Sequence, residues 1–93
     1  MDDKNRFWIG YYHQKARKSI QLTRQRIGHR IKELRESKGM SQRELGKRID
    51  IAYNHIGRIE KGKYNVNLDT LAKIAAALDT EINLICEKAA PES

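Results

Sequence analysis

Between Tyr53 and Arg58 the chain sets a phenol, a carboxamide, an imidazole and a guanidinium close together: Tyr53, Asn54, His55 and Arg58. Ile56 and Ile59 fall among them at helical spacing, which puts the apolar groups on one side and the polar groups on the other. A short helix with that outer face suits base edges in a major groove. Asparagine pairs bidentately with adenine, arginine with guanine, and a tyrosine touches a thymine methyl or a phosphate. His55 is the least specific of the four, since a lone histidine is more often structural or solvated than functional.

A face of this kind needs elements that hold it still. Ser41 is a good N-cap and Glu44 completes an S-x-x-E capping box, so a helix starts there, with Leu45 and Ile49 one turn apart. Asp50 and Ile51 interrupt the periodicity, a second helix follows, and Gly62 closes it. Two such helices cannot bury their apolar faces alone. Upstream, from Ser19 or Thr23 to Lys38, Leu22, Ile27, Ile31 and Leu34 mark one face of a helix that Gly39 ends. Arg24, Arg26, Arg30, Lys32 and Arg35 are placed outside. Downstream, Asn67 caps a helix with Asp69 in its first turn and Leu68, Leu71, Ile74, Ala75 and Leu78 as core.

The stretch from about Ile27 to Leu84 resembles the Cro/cI-type (Xre-like) helix-turn-helix family. The residues that carry the resemblance are Ile31 and Leu34, then Gly39-Met40-Ser41-Gln42 and Glu44-Leu45. Ile56, Ile59-Glu60-Lys61-Gly62 and the run from Leu71 to Leu78 complete it. Gly46 stands where the family usually has alanine, Asp50 where it has a turn glycine, and Ala52 where a Ser or Thr caps the recognition helix. The first weakens a helix, the second is tolerable because Asp enters the left-handed region readily, and the third removes a cap. The resemblance implies an all-α, lambda-repressor-like bundle of four to five helices. It implies phosphate contacts from Gln42, assisted by Arg43, and from Lys61, Lys63 and Asn65 in the loop after the recognition helix. It also places the start of the first helix near the DNA backbone, within reach of Arg24 or Arg26.

Flanking this domain (21–80) are a basic, aromatic N-terminal extension (1–20) and a C-terminal tail (81–93). In the extension, Phe7 with Tyr11 and Trp8 with Tyr12 are i,i+4 pairs, and no acidic residue occurs from Lys4 to Lys32. Three readings stand: an arm packed on the domain or a dimer mate, a tail along DNA phosphates, or disorder. In the tail, Ile82, Leu84 and Cys86 alternate with polar residues at the period of a strand, while Ile85 leaves a helical turn open. Some antitoxin-like members of the family dimerise through such a strand, and Ala89 to Ser93 read as frayed.

The formal charge of +7 and pI near 9.8 point to a polyanionic partner. Residues 1–40 hold 11 Lys/Arg against 4 Asp/Glu and the remainder 8 against 8, so the excess lies at the N-terminal end. The single cysteine excludes an internal disulfide, and no apolar run spans a membrane, which together suit the cytoplasm. The three histidines and Cys86 lack zinc-site spacing, and there is no phosphate-cradling glycine loop or nucleophile elbow. No cofactor and no enzymatic activity are expected.

The expected function is a sequence-specific regulator that binds double-stranded DNA as a homodimer on a palindromic operator. An antitoxin-like module, with the aromatic segment or tail holding a protein toxin, is the alternative. Purely architectural nucleic-acid binding fits less well, because the recognition face is not simply basic.

Overall fold

The computed structural model describes the backbone from residue 3 to 89 and the side chains from 8 to 85. The Phe7–Tyr11 pair, the Cys86 side chain and the tail beyond 89 lie outside the described residues. Five helices follow one another: α1 (Asp3–Ser37), α2 (Gln42–Ile49), α3 (Tyr53–Glu60), α4 (Leu68–Ala77) and α5 (Ile82–Ala89). Among the described residues there is no strand.

Helices α2 and α4 each begin at a side-chain cap. The Ser41 hydroxyl accepts from the Glu44 N–H at 3.0 Å, and the Asn67 amide oxygen accepts from the Thr70 N–H at 2.8 Å. Gly39 at φ 66° and Gly62 at φ 72° provide left-handed turns after α1 and α3. The helices enclose one core, in which Ile31, Leu45, Ile56, Ile74, Leu78 and Ile85 are almost fully buried. α1 crosses α3 and α5, and α2 packs on α3 and α4. Gly28 permits the first crossing: a Cβ there would lie 2.6 Å from the Glu60 carbonyl oxygen.

Sequence periodicity alone misplaces three features. Helix α1 reaches back to Asp3, far before Ser19 or Thr23. A helix of 35 residues is about 52 Å long, which accounts for the 55 Å extent of the molecule. Every residue from Trp8 to Thr23 is exposed, because this half of α1 projects past the bundle. Leu22, expected on the core face, is accordingly 46% exposed. Leu68, also expected in the core, is 72% exposed, because it opens α4 ahead of the first turn that meets α2.

The C-terminal strand is replaced by α5. Ile82 and Ile85, three residues apart, face the bundle together, and Ile85 is completely buried. The backbone of a helix satisfies itself, whereas a lone strand would leave its N–H and C=O groups unpaired. The Leu84 and Ile85 N–H groups both donate to the Glu81 carbonyl. Leu84 faces outward, 45% exposed.

Candidate nucleic-acid interface

The α2–α3 turn is fixed by its backbone. Asp50 sits at φ 57°, ψ 50°, and both its N–H and that of Ile51 donate to the Gly46 carbonyl, the latter at 2.8 Å. Gly46 is required here: a Cβ would overlap the Ile51 carbonyl oxygen. What reads in sequence as a weakened helix is the condition for a tight turn.

Ala52 caps α3 with no side-chain hydrogen bond. Ala52→Ser should therefore stabilise the chain by about 1 kcal/mol, through a hydroxyl accepting from the N–H of His55. Urea unfolding of both proteins checks it. An unchanged midpoint would show that the hydroxyl does not reach.

The outer face of α3 carries Asn54 and Arg58, both exposed, and Tyr53, 48% exposed. The Arg43 guanidinium lies 4.3 Å above the Tyr53 ring, so a cation from α2 is stacked on the first residue of α3. His55 is half-buried, its ring edge-on to Tyr64 at 4.0 Å. The imidazole braces the loop after α3 instead of standing free beside Asn54. Lys61, Lys63 and Asn65 are exposed in that loop. The Lys63 N–H donates to Arg58 O and the Gly62 N–H to Ile59 O, both at 3.0 Å, which fixes the loop's departure from α3.

Behind this face lies a buried ion pair. Arg35 and Glu60 are each 7% exposed, and two guanidinium nitrogens donate to the carboxylate at 2.6 and 3.1 Å. A third donates to the Met40 carbonyl at 2.8 Å. The hydrogen bond to Glu60 raises the guanidinium above its usual pKa against the opposing effect of burial, with the charges of Glu60 and Glu36 adding. The Gln42 amide donates to the same carboxylate at 3.0 Å, and its side chain passes beside Gly57. One carboxylate thus joins α1, the start of α2 and the end of α3.

Arg35, assigned by sequence to the outer face, lies instead inside the bundle, 7% exposed. Its spacing of four from Ile31 and eight from Ile27 places it on the inner face, a signal that its charge masked. The structure brings Arg43 onto Tyr53 and, separately, Gln42 onto Glu60. Arg58 and Asn54 stand free on α3, and Lys61, Lys63 and Asn65 lie apart in the loop. Among the described residues no group of His, Cys, Asp or Glu could hold a metal ion, and no helix is long and apolar enough to cross a membrane.

A capped helix, a left-handed turn residue and a second helix with an exposed polar face, all packed on a small helical core, define a helix-turn-helix protein. The helix-turn-helix (HTH_3) family model matches residues 31–85, and the chain belongs to that family. It is 40% identical over 65 residues to an uncharacterized HTH-type transcriptional regulator, y4dL, of Sinorhizobium fredii, covering 70% of this chain and 33% of that one. It is 30% identical over 59 residues to the immunity repressor protein of Bacillus phage phi105, covering 63% and 41%. The fold is similar to that of the restriction-modification controller protein C.AhdI from Aeromonas hydrophila, with TM-score 0.64 and 36% identity over 66% of this chain and 92% of the other. The chain spans well under two thirds of the two curated relatives named.

Proposed function

We propose that this chain is a sequence-specific, double-stranded DNA-binding transcriptional regulator that acts in the cytoplasm by binding and not by catalysis. One observation carries the reading. The outer face of α3 presents an amide, a guanidinium and a phenol of mixed hydrogen-bonding character, on a helix locked to α2 and α1 by the Glu60 carboxylate. Mixed donors and acceptors on a rigid helix are what major-groove readout requires, whereas charge alone gives only unspecific binding. Asn54, Arg58 and Tyr53 read base edges, with His55 behind them. Gln42, Arg43, Lys61, Lys63 and Asn65 hold phosphates on either side. The relative named as an immunity repressor supports repression as the outcome.

The chain works as a homodimer on a palindromic operator. Trp8, Ile9, Tyr12 and Leu22, all about half exposed on the overhang of α1, supply apolar surface for a second copy. Selection from a random duplex pool at physiological salt tests this: a palindrome with half-site centres about 34 Å apart is expected. Binding without an enriched motif would leave charge as the sole basis of affinity and overturn sequence-specific readout.

A second reading, an antitoxin-like module, is favoured by the same surface. Trp8, Tyr11 and Tyr12 pack ring on ring at 5.4 to 6.1 Å and together form an exposed aromatic block suited to a protein partner. Light scattering separates the two. A Trp8→Ala/Tyr12→Ala variant that dissociates a dimer of the pure chain supports self-association, and a stable monomer in both proteins supports a foreign partner.

A further inference from the structure

One stripe of α1 changes character where the helix leaves the bundle. Ile27, Ile31 and Leu34 lie on its inner face, with Ile31 fully buried. Continued toward the N-terminus at the same alternating spacing of three and four residues, that face carries Arg24, Ile20, Arg17 and His13. A stripe meant for burial against the fold or against a second α1 would stay apolar, because an unpaired guanidinium is expensive to desolvate. Here it becomes cationic. The aromatic block of Trp8 and Tyr12 lies more than a quarter of a turn away around the helix.

The cationic stripe faces the loop after α3 across an open cleft of about 660 Å³, lined by His13, Arg17, Arg24 and Gln25 on α1 and by Lys61 and Lys63 on the loop. No carboxylate is among the lining residues. The loop is held tightly against α1: a Cβ on Gly62 would lie 2.8 Å from the Gln25 Cα. Both lysines are therefore anchored at the rim. Arg24 Nε, like Arg30 Nε outside the cleft, is shielded from solvent with no hydrogen-bond partner among the described residues.

We propose that this cleft is a second phosphate-binding surface, in which the overhang of α1 sets Arg17 and Arg24 against the sugar-phosphate backbone of duplex DNA beyond the stretch read by α3. The proposal rests on the DNA-binding reading above. Seven residues of helix separate the two arginines, about 10 Å, the axial length of a few successive phosphates on one strand. A row of cations in an open cleft matches a row of phosphates, where a small free anion would call for donors converging on one point. The cleft shares Lys61 and Lys63 with the loop beside the groove, so the surface is continuous with it. Arg26, which does not line the cleft, takes no part.

The test is the salt dependence of binding by the full chain carrying Arg17→Gln and Arg24→Gln, on the selected operator and on random duplex. Glutamine keeps the helix propensity of arginine. The control is Lys32→Gln with Lys73→Gln, both exposed and outside the cleft, at equal change of net charge. The cleft pair should lower the slope of log affinity against log salt by about 1.8 and weaken both DNAs by the same factor, while the control leaves the slope nearly unchanged. Arg17→Gln alone, at an exposed position, should give half of that change, which frees the test from any packing role of Arg24. A slope that falls equally in both double variants, or in neither, while the wild-type chain still binds its operator, overturns the cleft and leaves the α3 reading standing. A wild-type chain that binds no duplex overturns both.

Discussion

Glu60→Ala is expected to lower the unfolding free energy by about 3–5 kcal/mol. The carboxylate is 7% exposed and accepts from two nitrogens of Arg35 and from the Gln42 amide. Its removal leaves a guanidinium in the core with only the Met40 carbonyl as partner. A domain of this size has about 5–15 kcal/mol of total stability, so the loss is a large share of it and should lower the urea midpoint markedly. Urea denaturation followed by circular dichroism measures it. Lys38→Ala, which removes the exposed pair with Asp79 at 3.2 Å, gives the contrast and should change stability by at most about 1 kcal/mol. Equal small losses in the two variants would mean that water reaches Arg35 and that the pair is not desolvated. Functionally the carboxylate matters twice, since the same contacts fix the start of α2 relative to the end of α3.

Asn54→Ala and Arg58→Ala should each reduce discrimination between operator and random DNA by about 1–3 kcal/mol, that is, by roughly five- to more than a hundredfold. Both side chains are exposed on α3, so neither change should disturb folding. Titration of each variant against the selected operator and a scrambled duplex reads the ratio directly. Equal losses on both DNAs would move the residue from base readout to phosphate contact. His55→Ala should behave differently, because its ring is packed on Tyr64 and its loss loosens the loop that carries Lys61 and Lys63. Helical phase gives no sign of this packing, because the ring that meets His55 comes from the loop after α3.

Much of the fold is legible in the order of residues. Ser41, Asn67 and Gly39 mark where helices begin and end through bonds made within a few residues, and local chemistry of that kind is visible without a tertiary structure. Ile31, Leu45, Ile56, Ile74 and Leu78 announce themselves by spacing, since a helix that buries one face must repeat apolar groups every three or four residues. The polar face of α3 and the basic N-terminal half follow in the same way.

The rest depends on what lies across from each residue, and spacing carries no record of that. Arg35 is inside because Glu60, 25 positions away, meets it there. Gly46 is indispensable because the chain returns over it with the Ile51 carbonyl. The tail is a helix and not a strand because the bundle offers Ile85 a site between α1 and α4 and offers a strand no partner. The overhang of α1 turns a basic, aromatic sequence into two distinct faces, one aromatic and one lining a cleft with Lys61 and Lys63. Local order settled where the helices are, and contacts between distant segments settled which of their charged groups are buried, paired or left facing outward.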